Sequence, residues 1–80
     1  MFKIKYCGSW NYKPQAESLS ADMNNEGYYT VYEEGETGQF ELFLKDESIV
    51  KAGHGVFFGL EEVKIEIKKK TKQELFSNQD

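Results

Sequence analysis

The sequence predicts a small α+β domain in which a strand–helix–strand unit leads into a hairpin and a closing helix. Three observations carry this reading. Short runs of alternating or β-rich apolar residues recur at residues 2–6, 28–33, 39–44 and 48–51, the pattern of half-buried strands. Ala16, Leu19 and Met23 form one helical stripe between the first two runs. A last apolar segment begins with Glu residues and ends with Lys residues, the arrangement a helix dipole favours. The expected order is therefore β-α-β-β-β-α, with four strands in a mixed sheet and two helices.

Length and composition narrow the class. Eighty residues leave room for one core, so residues 1–80 are expected to form one domain. Hydrophobic residues make up 39% and aromatics 15%, enough to place the chain outside the disordered class. The net charge is −4 and every basic residue is Lys, so phosphate-backbone binding and a nucleic-acid partner are not expected. The Lys68-Lys69-Lys70 run with Lys72 reads as a solvated helix end. No apolar run approaches the roughly 20 residues that span a bilayer. The chain opens directly on a strand pattern rather than a signal segment, and its one Cys forms no internal disulfide; cytoplasm is the expected compartment.

The elements follow in order. Phe2-Lys3-Ile4-Lys5-Tyr6 alternates apolar and polar residues. Ser9 or Asn11 is a candidate helix cap, and Pro14 is tolerated in a first helical turn. Asn24-Asn25-Glu26-Gly27 reads as a helix stop, with Gly27 in the left-handed conformation. Residues 28–33, rich in Tyr, Thr and Val, form the second strand and complete a βαβ unit. Residues 34–38 are a loop. Residues 39–44 are the third strand, Lys45-Asp46-Glu47 a turn, and residues 48–51 the returning fourth strand. Residues 52–59 are a glycine-containing loop whose Val56-Phe57-Phe58 packs against the sheet or lines a surface near the Cys turn. The last segment is ambiguous, since Val63, Ile65 and Ile67 alternate while Leu60, Val63 and Ile67 fit a helix. Helix is chosen, from about Leu60 to about Lys72, with residues 73–80 a frayed tail.

Chemistry concentrates in one stretch. Tyr6-Cys7-Gly8-Ser9-Trp10-Asn11-Tyr12-Lys13-Pro14 holds the only Cys, the only Trp and the only Pro. A strand running through a glycine turn into a helix brings Cys7 to the helix N-terminus, whose free amides and dipole favour a thiolate. With Lys13 nearby, Cys7 is expected to react faster than the thiol of a free peptide. His54 reads as a solvated loop residue rather than as a base for Cys7. One His and one Cys cannot supply a tetrahedral metal set, and the Glu33 to Glu36 run lacks the EF-hand pattern. No phosphate-cradling loop, no Ser-His-Asp signature and no carboxylate pair suited to glycoside chemistry is present.

The same stretch resembles the Tyr-Cys-Gly-x-Sec-x-Tyr-x-Pro segment of the selenoprotein W (Rdx) family. Thr37-Gly38-Gln39-Phe40-Glu41-Leu42 resembles that family's Thr-Gly-x-Phe-Glu-Val segment, and the later hairpin, loop and helix follow the family order. The resemblance covers roughly residues 2–72. It implies a thioredoxin-like fold and a thiol redox role, with glutathione, another small thiol or protein thiols as partners and no bound cofactor or metal. It carries Cys7 onto the family's first Cys and Trp10 onto its Sec or Cys.

An indole forms neither a disulfide nor a selenenylsulfide. The chain as written is thus left with mixed disulfides or a sulfenic acid on Cys7. Two origins fit Trp10. Either the second redox residue was lost, or a Sec codon, UGA, was decoded or recoded as the Trp codon UGG, one base away; the second is favoured. The competing function is a non-catalytic protein-interaction module that keeps the fold and binds a partner through the Cys7–Trp10 turn and the Val56-Phe57-Phe58 loop.

Overall fold

The computed structural model describes residues 1–77. Its elements are β1 (Phe2–Tyr6), α1 (Lys13–Asn25), β2 (Thr30–Glu34), β3 (Gln39–Leu44), β4 (Glu47–Gly53) and α2 (Leu60–Ser77). The four strands form one mixed sheet in the order β2-β1-β3-β4. β1 runs parallel to β2 and antiparallel to β3, and β3 pairs antiparallel with β4. This is the β-α-β-β-β-α, thioredoxin-like α+β arrangement.

Alternation along β1 sorts the sheet into two faces. Phe2, Ile4 and Tyr6 are buried, with Phe40 and Leu42 of β3 beside them. Ala16, Leu19 and Met23 of α1 and Val63 of α2 complete this core cluster. Fully burying a side chain such as Ile4, Phe40 or Leu42 contributes about 1.5–3 kcal/mol each. The other residues of β1 turn the opposite way. Lys3 pairs with Glu33 at 3.0 Å, and Lys5 lies opposite Glu41, which lies opposite Lys51. That second face is a polar one.

Element ends depart from expectation where side-chain bonds decide them. β2 starts at Thr30 rather than residue 28. Asn24 of α1 accepts the Thr30 N–H at 3.0 Å and donates to the Thr30 carbonyl at 3.1 Å, so the strand is pinned to the helix at its first residue. α1 stops as expected: the Tyr28 N–H bonds the Met23 carbonyl, the Gly27 N–H bonds that of Asn24, and Gly27 takes φ 91°. This two-bond stop needs a left-handed residue, which glycine adopts without strain. β4 runs from 47 to 53 rather than 48 to 51, with a register shift opposite Leu42 and Phe43.

α2 settles the ambiguity of the last segment in favour of helix. Val63 is buried, Leu60 and Ile67 pack against the core, and Ile65 is exposed, as a helical stripe requires. The helix continues to Ser77, past the expected end near Lys72, so residues 73–77 are helical rather than frayed. Lys and Gln are good helix formers, and nothing in Lys72-Gln73-Glu74-Leu75 breaks a helix. The expected fraying of residues 78–80 lies outside the described residues. Lys70 reaches Glu47 of β4 at 2.6 Å, and Lys64 reaches Glu26 at 2.5 Å.

Glu41 is the one buried carboxylate described. Burial opposes its charge. Hydrogen bonds from Ser48 and Gln39, with the ammonium groups of Lys51 and Lys5, more than offset that, and its carboxyl titrates below the usual value. A lowered pKa adds stability that is present above the unfolded-state value of about 4.3 and is lost as pH falls through the folded value. Glu41→Gln should therefore lower the urea midpoint at neutral pH, and the deficit should shrink as pH falls below about 4.3 toward the folded value. A deficit that stays constant with pH would assign Glu41 a role independent of its charge.

Candidate functional site

The turn that carries Cys7 is built by main-chain bonds. The Cys7 N–H donates to the Gln39 carbonyl at 2.8 Å, which extends the β1–β3 pairing one residue beyond β1. The chain then winds once. The Tyr12 N–H bonds the Cys7 carbonyl at 3.1 Å, and the Asn11 N–H bonds the Gly8 carbonyl at 3.3 Å. This is the same two-bond closure that ends α1, with Asn11 at φ 59° in the place of Gly27. Asn is among the few side chains that take the left-handed conformation readily. The expected helix cap at Ser9 or Asn11 is thereby corrected. Tyr12 is the capping residue of α1 and makes no side-chain cap bond, while Asn11 ends the turn.

A single helical turn sets residues three apart on one side. Cys7 and Trp10 have that spacing, and the Trp10 N–H donates to Cys7 Sγ at 3.3 Å. The two positions differ in access. Cys7 has no exposed surface and belongs to the core cluster with Tyr12, Ala16 and Phe40, while Trp10 is 47% exposed. The expectation of a reactive thiol at the helix N-terminus needs correction. The sulfur faces the core, and its N–H partner comes from the turn before the helix. Beyond Tyr6 the strand alternation no longer sets side-chain direction, and free Cys packs as a small hydrophobe.

Two distant segments meet the turn. β4 runs out into Gly53-His54-Gly55, with φ of 112°, 52° and 90°. The His54 N–H bonds the Gly38 carbonyl at 3.0 Å, and the Gly55 N–H bonds the Tyr12 hydroxyl at 2.7 Å. The His54 ring packs edge-on against Trp10 at 5.7 Å, and Tyr12 packs against the indole at 5.9 Å. Gly38, at φ 78°, lies beneath both. A Cβ there would sit 2.9 Å from His54 Cε1 and 3.1 Å from Trp10 Cζ3. Position 10, Gly38 and His54 thus share one point on the surface. His54 is exposed, as a solvated loop residue is expected to be, but its ring is packed against Trp10 rather than free.

The Val56-Phe57-Phe58 loop packs on the sheet beside the turn, as expected. Phe57 contacts Tyr12 at 4.7 Å and Phe40 at 5.1 Å, and Phe58 contacts Phe40 at 4.9 Å. Val56 remains 62% exposed and Phe57 38%. Tyr12 is the residue that sequence reasoning missed. It is buried, it touches Trp10, Phe40 and Phe57, and its hydroxyl ties the turn to a glycine 43 residues away. The only local signal was an aromatic directly before a Pro-containing helix start.

Charge collects on one side of the cluster. A recess of about 120 Å³ beside His54 is lined by Glu36, Glu41 and Lys51, and the Glu34 carboxylate lies against Gly8. Among the described residues no three His, Cys, Asp or Glu side chains converge to hold a metal ion, and no helix is long and apolar enough to cross a membrane. Neither a scan against protein-family models nor a search of curated proteins gives a match to this chain.

Two outcomes follow from this geometry. Cys7 should react with a bulky disulfide reagent more slowly in the folded protein than in urea; equal rates would show the sulfur to be accessible. Trp10 emission should change in His54→Asn at a fixed pH, because the imidazole edge contact at 5.7 Å is removed; an unchanged spectrum would place the two rings apart.

Proposed function

We propose that the turn from Cys7 to position 10 is a redox site of the selenoprotein W type, and that position 10 natively carries selenocysteine. One observation supports this above the rest. The Cys7–Pro14 stretch, the Thr37-Gly38 segment and the Gly53-His54-Gly55 loop are remote in sequence, yet all three touch the residue-10 side chain or the ground beneath it. In this reading the labour is divided by access. The outward residue at position 10 attacks a disulfide or peroxide, and the buried Cys7 sulfur, three residues back on the same side, resolves the intermediate.

The substrates are glutathione or protein thiols and their disulfides, with no bound cofactor, in the reducing cytoplasm. With Trp10 in place the exchange cannot close. Cys7 retains mixed-disulfide or sulfenic acid chemistry, limited by its burial. A native UGA at codon 10 is expected, and a native UGG would overturn the selenocysteine assignment.

A second reading has its own observation. Trp10, Val56 and Phe57 are exposed together around the turn, a surface of the kind that docks a protein partner without chemistry. Three proteins separate the readings: the parent, Trp10→Cys and Cys7→Ser. Trp10→Cys should form an internal Cys7 disulfide, seen as a loss of two hydrogens by mass, and should exchange with oxidised glutathione at least roughly ten-fold faster than the parent. Absence of that disulfide, with a protein partner retained by all three, would establish the docking module instead.

A further inference from the structure

His54 has no assigned role in the redox turn, and its setting is unusual. Histidine occupies a left-handed position between two glycines that also have positive φ. Left-handed backbone is uncommon for a side chain of this size and persists where neighbouring structure holds it. Here three bonds from main-chain amides do so. The His54 N–H is held by the Gly38 carbonyl, the Gly55 N–H by the Tyr12 hydroxyl, and the Gly53 N–H by the Val56 carbonyl at 2.8 Å. Gly53 admits no side chain, since a Cβ there would collide with the Gly38 carbonyl oxygen. The loop is thus fixed from three sides, and what it presents to position 10 is an imidazole.

We propose that His54 is the acid–base partner of the chalcogen at position 10. This rests on the redox reading above and adds the proton's path to it. The two rings are 5.7 Å apart between centroids, in edge contact, and both border the space a Cβ of Gly38 would fill, the indole through its Cζ3. A Cys or Sec side chain starts from the same Cα but is shorter than an indole, so the imidazole meets it by turning about its own side-chain bonds into the space the indole fills.

The exchange then balances. The residue-10 thiol or selenol gives its proton to the His54 imidazole. Its electron pair attacks one sulfur of the substrate disulfide; a bond forms to that sulfur and the old S–S bond breaks. The departing sulfur carries off the bonding pair and takes the proton from the imidazolium. Cys7 next gives up its proton and attacks the residue-10 atom; the internal bond forms, the bond to the second substrate sulfur breaks, and that sulfur leaves with the bonding pair and takes up the proton as a thiol. The substrate has gained two electrons and the protein has lost two, which two molecules of a low-molecular-weight thiol return as they join in a disulfide.

Other charges face the same imidazole. Glu36 of the β2–β3 loop, Glu41 of β3 and Lys51 of β4 line its recess. With charges of both signs around the ring, the test compares pH profiles rather than single rates.

The test uses the full chain with one thiol left. Cys7→Ser/Trp10→Cys is compared with the same protein carrying His54→Asn, and with one carrying His54→Gln. Asn tolerates the left-handed backbone, so the loop is kept; circular dichroism checks that each protein is folded. The readout is the rate of alkylation by an uncharged haloacetamide from about pH 5 to 9, which follows the thiolate population. With His54 present the profile should extend to lower pH, and at mildly acidic pH both His54 variants should react roughly ten-fold more slowly. Superimposable profiles in folded proteins would overturn the proposal. Alkylation needs no internal disulfide, so failure of Trp10→Cys to pair with Cys7 would count against the redox reading and leave this result standing on its own.

Discussion

The site depends on how residue 7 is held by its backbone. Its N–H closes the β1–β3 ladder on Gln39, and its carbonyl receives the Tyr12 N–H that ends the next turn. One residue is therefore both the last rung of the sheet and the first of the coil that leads into α1. That fixes the direction from which the chain enters the turn, and with it which side of the turn faces the core. Position 10 is outside because position 7 is inside, three residues away on a single helical winding.

Tyr12 transmits this arrangement to the rest of the rim. Its ring bridges the indole, Phe40 and Phe57, and its hydroxyl anchors Gly55. The sheet alone brings β4 no closer to the turn than β3 allows, since β3 stands between β1 and β4. The tyrosine and the Gly38 carbonyl draw the end of β4 back over that gap. A burial-driven core and a bond-driven rim thus meet in one side chain.

Much of the fold was legible because it rests on period and composition. The strand alternation, the Ala16-Leu19-Met23 stripe and the Gly27 stop are local signals, and the structure follows each of them. What escaped were features set by backbone geometry or by remote partners. Asn11 looked like a cap because the same side chain serves caps and left-handed stops, and only its φ tells them apart. Burial of Cys7 depends on a turn that abandons the strand period, so no pattern along β1 foretells it. The extra turns of α2 and the late start of β2 come from helix propensity and from Asn24, effects that boundary signals underweight.

The hydrogen bond from the Trp10 amide to Cys7 Sγ has a kinetic meaning. A sulfur sealed beneath main chain meets small molecules only when that main chain breathes. Chemistry at residue 7 therefore inherits its clock from a backbone fluctuation of a four-residue coil, whatever the intrinsic appetite of the sulfur. Oxidants in the surrounding medium would find this atom shielded by default, and a partner that pulls the coil open would hold the key to it.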